Sequence, residues 1–337
     1  MHAFTAPGTR WIGGRGTARY NDGLLVDKDS HRARLASLAA TIDDPEAGVH
    51  GPGTASWRIN KEALNFFAAG RAALLQLAHP YVATAIDQHS STRDDVRKRF
   101  EGTFANVFAM TFGPWDRAEQ SARRVHNIHT RITGTLDESL GRFEKGHRYH
   151  ANESSALLWV FATLVDSVIV AQGALAEPLS DIDKERYYAD ARRFATLFGI
   201  PDAELPASYR RFAEYIERTL ASDELAVGSA ARDMASFLLS PPNPLLAPVF
   251  AWYKAVTAAL LPARFREPFG LELSRARRLS WRATVPVVKA LYPRLPRQLR
   301  CLPGYLEAEA RVGESRGLTR ALDRAAIGAL KFWPTPA

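Results

Sequence analysis

The sequence predicts an all-α fold in one large domain, and three observations carry that prediction. Strand signals are nearly absent: no Asn-Gly or Asp-Gly hairpin is read between alternating apolar runs, and β-branched clusters are few. Helix caps and breakers recur along the chain. Apolar residues between them follow a 3.6-residue period, the spacing that lines one face of a helix.

Taken in order, Asn60 caps a helix whose apolar positions are Ala63, Phe67, Leu74 and Leu77, and the step His79-Pro80 bends or restarts it. A short helix then runs to about His89. Thr92 caps the next, with Asp95 answering the cap, and that helix runs to Gly113 before Pro114. Asp116 with Glu119 opens another, closed by Gly134. After a loop rich in Gly, His and charge, Glu153 or Ser154 opens a strongly apolar helix that ends before Pro178. Residues 180–198, 208–220 and 223–239 read as further amphipathic helices, punctuated by Gly199, Pro201, Pro206 and the Pro241-Pro242-Asn243-Pro244 run. The last third continues in the same style.

At roughly 100–200 residues per domain, 337 residues allow two domains or one large one; the absence of linker tracts and fixed-period repeats favours one. The expected boundaries are an N-terminal, partly irregular extension over 1–56, a helical domain over 57–311, and a C-terminal helix and tail over 312–337. With 46% hydrophobic and 24% charged residues, disorder, collagen and coiled coil are excluded. The single cysteine, Cys301, excludes an intrachain disulfide, thiolate zinc and Cys-x-x-Cys redox chemistry. The polar, glycine-rich start, residues 1–16, has no apolar stretch of an export signal, so a cytoplasmic protein is expected. Two longer apolar segments, 156–176 and 245–261, carry interrupting Asp166 and Lys254 and read as core helices.

Helical geometry sorts the chemistry-bearing residues. Ala118, Ala122, Val125, His129 and Ile132 are spaced 4, 3, 4 and 3, an apolar seam that includes His129. His126 falls with Glu119, Arg123, Thr130 and Thr133 on the side expected to be solvated. An inward neutral imidazole either ligates a metal through Nε2 or bonds a core carbonyl. On the preceding helix Val96, Arg99, Thr103, Val107 and Met110 share a stripe, which turns Arg99 inward. A guanidinium removed from water needs an anionic mate: a carboxylate, a propionate or a polar substrate. Asp166, within an apolar run, must itself be paired, protonated or cavity-facing, with Arg99, Arg131 or Arg71 as candidate partners; a structural ion pair is the expectation.

Other motifs lead nowhere. Gly13-Gly14-Arg15-Gly16 opens no βαβ unit, Glu144 and His147 give one Glu-x-x-His where di-iron bundles need two, and neither Gly-x-Ser-x-Gly nor His-Glu-x-x-His occurs. Residues 263–300 hold ten Lys or Arg against Glu267 and Glu272, with Phe265, Phe269, Trp281 and Tyr292 among them. Such a segment suits an anionic membrane surface or a phosphate backbone, or is a solvated helical face; no specific nucleic acid is expected.

Several of these segments, between Trp57 and Arg311, resemble the family that unites mpaB-type oxygenases with the rubber-cleaving latex clearing proteins. The residues are Leu75-Gln-Leu-Ala-His-Pro-Tyr-Val-Ala followed by His89-Ser90, Arg99-Phe-Glu-Gly-Thr103 leading to Phe112-Gly113, and Val125-His-Asn-Ile-His129-Thr-Arg-Ile-Thr-Gly134. Tyr149-His-Ala, Leu158-Trp-Val, Leu261-Pro-Ala-Arg-Phe-Arg and Phe269-Gly270 continue the match. The resemblance implies a globin-like core binding haem b, with His129 as proximal iron ligand and Arg99 and Thr103 near the haem. It implies O2 as co-substrate and an apolar, isoprenoid or other alkene substrate oxidised at a carbon–carbon double bond. On this reading Thr103 hydrogen-bonds oxygen or Arg99, and Asp87 accepts a proton. Arg131, His79 and Arg71 line the pocket or satisfy propionates, with a helix-end hydrogen bond for His79 and a surface charge for Arg71 as the plainer roles. Two departures stand out. Gly102 replaces the lysine that precedes the threonine in rubber-cleaving members, and Asp87 is offset by about one turn from their upstream glutamate. Together with the missing export signal these argue against rubber as substrate. The alternatives to an enzyme are a haem or lipid binder and a basic protein that meets a membrane surface or nucleic acid.

Overall fold

A computed structural model describes residues 19–20, 23–89 and 93–329, with side chains for 24–89 and 102–328. Among the described residues the chain is built from helices, with two small antiparallel ribbons at the margin. β1 (Arg19–Tyr20) pairs with β2 (Gly23–Leu24), and α1 (Lys28–Ala39) follows, its first turn held by the Asp27 side chain. Next come α2 (Ala55–Asn60), a 3-10 turn over Ala63–Ala68, α3 (Ala69–Leu77), α4 (Pro80–Gln88), α5 (Arg93–Phe112) and α6 (Trp115–His129). The second ribbon, β3 (Thr133–Thr135) against β4 (Arg148–His150), leads into α7 (Ser154–Leu175). Then follow α8 (Asp181–Leu197), α9 (Tyr209–Ala221), α10 (Ser229–Leu238), α11 (Ala247–Leu260), α12 (Ala263–Arg266) and α13 (Arg275–Leu291). The chain closes with α14 (Arg297–Arg300), α15 (Pro303–Arg311) and α16 (Gly317–Ala329).

α7 is the centre, because it is apolar on nearly every face and so can be buried all round. Leu157, Trp159, Phe161, Ala162 and Val165 are all buried, and the one indole donor, Trp159 Nε1, is satisfied by Leu75 O at 2.8 Å. By length and hydropathy α7 could cross a bilayer, but 61% of its apolar window is buried inside the protein, as a core helix requires. α3 packs along it, as do α8, α9 and α13. The 26–56 segment is part of this body: Val26, Leu35, Leu38 and Val49 join the main core, and α1 packs on α6 and α8.

Four boundaries differ from the sequence reading, each for a local reason. The helix capped at Asn60 is divided: Thr54 caps α2 through Trp57 N, and Glu62 is extended (ψ 118°), which separates α2 from the 3-10 turn and α3. α6 stops at His129 rather than Gly134: Arg131 N and Ile132 N bond three residues back, to Ile128 O and His129 O, and Ala151 N takes Ile132 O at 3.0 Å, so Thr133–Thr135 enters a strand instead. α10 begins at Ser229 rather than Asp223, because Ala226 N bonds Ala78 O at 2.8 Å and keeps residues 225–228 out of the helix. The β1–β2 ribbon flanks Asn21-Asp22-Gly23, whose surroundings do not alternate and therefore gave no hairpin pattern. The Thr92 cap lies outside the described residues.

Candidate functional site

The loop 44–52 docks on the turn between α5 and α6. Trp115 N donates to Pro45 O at 2.7 Å, and Gly48, with φ +78°, packs so tightly that a Cβ there would meet Gly113 O at 2.1 Å. This docking carries His50 to the wall of a cavity of about 150 Å³ lined by α2, α3, α5, α7 and α8. Its surface is mostly apolar: Ala69, Ala72, Phe104, Val107, Phe108 and Val168 face it, with Leu302 from the start of α15.

Several polar side chains on the wall are answered by the protein. Asn60 Oδ1 accepts from Tyr187, Asn65 is bonded to Ile59 O and Gln172, Thr111 bonds Val107 O, and Ser167 Oγ accepts from Arg71 Nη1 at 2.8 Å. His50, 1% exposed, has an enclosed Nδ1 without a hydrogen-bond partner. Burial first, then the Arg193 charge, push its pKa down to about 3, so the ring is neutral at physiological pH. Sequence reasoning passed over His50 because it sits in the loop Gly48-Val49-His50-Gly51-Pro52-Gly53, where no helical period can assign it a face.

Behind Ser167 stands the buried ion pair. Arg71 Nη2 donates to Asp166 Oδ2 at 2.5 Å and Nε donates to Leu260 O at 3.1 Å. Arg71 is thus the mate of Asp166 among the three candidates, and it is neither a surface charge nor turned to an external anion: Nε, Nη1 and Nη2 each bond a protein group. His79 is buried and caps α4, its Nδ1 accepting from Tyr81 N at 3.3 Å; burial, and secondarily Arg142, push its pKa down to about 3. That is the helix-end hydrogen bond weighed as its plainer role.

The α6 seam is rotated from its expected position. Ala118, Ser121, Ala122 and His126 are buried, whereas Val125 and His129 are half-buried. The expectation that His126 is solvated is therefore corrected. Its ring stacks on His31 of α1 at 4.4 Å, because α6 is covered by α1 on one side and α5 on the other, so its buried arc is wider than its apolar stripe. Burial, then the His31 charge, lower the His126 pKa to about 4, and its Nδ1 has no hydrogen-bond partner. His31 Nε2 is 2.9 Å from Leu197 O.

His129 is the last residue of α6, half-buried, with Nδ1 enclosed. α5 and α6 are joined by Gly113 and Pro114 alone and pack along each other, so the end of α6 returns to the beginning of α5, which carries Arg99. The Arg99 side chain lies outside the described residues. Thr103, Asp87 and Arg131 are exposed: the α5 stripe is buried at Met110 and half-buried at Val107 but open one turn earlier, and Arg131 follows the end of α6. None of these residues, nor His129, lines the cavity. Among the described residues no group of three or more His, Cys, Asp or Glu is arranged to hold a metal ion.

Two uncharacterised proteins, from Mycobacterium tuberculosis and Mycobacterium bovis, are each 30% identical to the chain over 223 residues, which covers 63% of this chain and 83% of theirs. No solved structure matches it. The family model described as ER-bound oxygenase mpaB/B'/rubber oxygenase, catalytic domain, matches residues 57–290. That span takes in α3 to α7 and the cavity they help to wall, and the chain belongs to this family of oxygenase catalytic domains.

Proposed function

We propose that the protein is a haem b-dependent oxygenase that uses O2 to oxidise or cleave a carbon–carbon double bond of an apolar, isoprenoid-like small molecule. The observation that carries this reading is the mainly apolar cavity beside α5, walled largely by the family's catalytic domain. A mainly apolar cavity of this size takes up small apolar groups. Cleavage of C=C by O2 balances without an added reductant, since each new carbonyl receives one oxygen atom. His50 adds a neutral imidazole to a wall that is otherwise mainly apolar.

For haem, the donor fits and the cavity does not. His129 ends α6 as a half-buried imidazole at the same end of the helix pair as Arg99 and Thr103, the residues that the family resemblance assigns beside the iron. The cavity, at about 150 Å³, falls below the ~300–1,000 Å³ of ordinary cofactor pockets, so it is assigned to substrate and not to porphyrin. Haem supplies the oxygen chemistry when bound. The chain's own contributions would be the His129 imidazole to hold the iron, an apolar chamber for the alkene, and an Arg71–Asp166–Ser167 network that holds one wall of that chamber in place.

Absorption spectra of purified, haem-reconstituted protein test the ligand. A Soret band is expected in the wild type and in His126→Phe, and its loss or shift in His129→Ala; unchanged haem binding by the His129 variant overturns the assignment. The cavity is tested separately. Benzene, binding only the folded state, is expected to raise the thermal midpoint by the equivalent of about 1 kcal/mol, and Ala72→Leu, which fills the space, is expected to abolish that rise. An equal benzene response in both proteins overturns the cavity as a binding site.

A further inference from the structure

Apart from Ile128 and Ile182, the large apolar side chains left exposed among the described residues all lie at or beyond residue 245. Several belong to α13 and to the start of α11, which packs against it: Leu279 is 57% exposed, Val287 53%, Leu291 56%, Leu245 84% and Val249 52%. The inner side of α13 is accounted for. Thr284 is buried and accepts from Trp252 Nε1 at 2.9 Å, and Trp281, Val285 and Val288 pack into the small core around Leu64 and Val256.

The ten cations of 263–300 divide in two. Arg264, Arg266, Arg277, Arg294 and Arg300 donate to main-chain carbonyls, and Arg297 pairs with Glu309 and Asp323. Arg275, Arg278, Arg282 and Lys289 are exposed and have no hydrogen bond or ion pair among the described residues. At about 100° per residue these four fall within an arc of about 60°, and Leu279, Ala283, Pro286, Val287 and Ala290 occupy the arc beside it. No acidic residue occurs between Glu272 and Glu307 to neutralise them.

We propose that this face of α13 docks the protein on an anionic lipid surface, with the four cations at the headgroups and Leu279, Val287 and Leu291 in the acyl boundary. A cationic stripe beside an apolar stripe on an exposed helix is the arrangement that lies in a membrane interface. Charge selects this occupant over a second copy of the chain, because two such faces would bring unpaired cations together at close range. The inference is independent of the proposed reaction.

Co-sedimentation of the full chain with phosphatidylcholine vesicles, with and without phosphatidylserine, tests it. Binding is expected only to the phosphatidylserine vesicles and is weakened by salt. The Arg278→Gln/Arg282→Gln/Lys289→Gln variant is expected to lose about a hundredfold in affinity, at about fivefold per cation. Leu279→Ser/Val287→Ser is expected to lose about tenfold. All these positions are exposed, so unchanged melting of both variants is the accompanying control. Equal binding to both vesicle types, absence of binding, wild-type affinity in both variants, or a dimer abolished by Leu279→Ser/Val287→Ser each overturns the proposal, the last in favour of a second copy.

Discussion

Replacing Arg71 by Met is expected to lower the stability of the protein by about 3–5 kcal/mol, the largest effect foreseen for one substitution. The guanidinium side chain is 4% exposed and its partner Asp166 18%, so removing the cation leaves a carboxylate and the Ser167 hydroxyl short of partners in a mainly apolar wall. The loss should not be symmetrical with the worth of the pair. Arg71→Met/Asp166→Leu removes both charges and is expected to recover most of the stability, because apolar packing replaces a desolvated ion pair at little net cost. The exposed pair Arg58–Asp183 supplies the contrast: Arg58→Ala is expected to cost under about 1 kcal/mol. Urea midpoints at constant m-value report all three. A cost below about 1 kcal/mol for Arg71→Met would show that the buried pair does not hold the wall.

The ion pair also shows how far the sequence could be read. A carboxylate inside the apolar run of α7 had to be answered, and Arg71 was among three arginines that could answer it; choosing between them needed the packing of α3 on α7, which no local pattern encodes. Helix existence was legible from apolar period and breakers: the expected helices over 180–198 and 208–220 are α8 and α9, and Ser180 and Ser208 cap them. Helix ends failed where a distant group intervened, as Ala151 does just past α6 and Ala78 does ahead of α10.

The candidate site was less legible, for a related reason. Periodicity assigns a residue to one side of a helix, but a helix covered on two sides buries more than its apolar stripe. His126 is the case in point: it counts as polar in the pattern, yet α1 brings His31 against its ring. His50 could not be found from period at all, since its place depends on a glycine loop seated on another turn. Arg71, a sequence candidate for an external anion, proves to be fully engaged within the protein.

These buried imidazoles lead to the second large effect, acid unfolding between about pH 6 and pH 4. Burial is the main cause that pushes the pKa of His50 and His79 down to about 3 and that of His126 to about 4, and it lowers His31 and His150 as well. Each folded-state value lies below the ordinary 6.5, so the unfolded chain binds more protons in this window and stability falls with pH. The contribution of each group is complete above pH 6.5 and is lost as the pH drops through its folded value. Each histidine costs about 1.4 kcal/mol per unit below 6.5. At pH 4.5 His50 and His79 together remove about 6 kcal/mol and His126 a smaller, solvent-screened amount, within the ~5–15 kcal/mol that hold a domain of ordinary stability. Glu307, whose pKa burial raises, works in the opposite direction but is one group against several. Urea midpoints at pH 7, 6 and 5 are therefore expected to fall with a slope approaching 4 kcal/mol per unit. His126→Phe, which keeps a ring against His31 and cannot be protonated, is expected to reduce that slope, by less than about 1.4 kcal/mol per unit because solvent screens part of the effect. A profile that stays flat from pH 7 to 5, or one that His126→Phe leaves unchanged, would mean that water reaches these rings and that the packing around α6 is looser than the stacked pair implies.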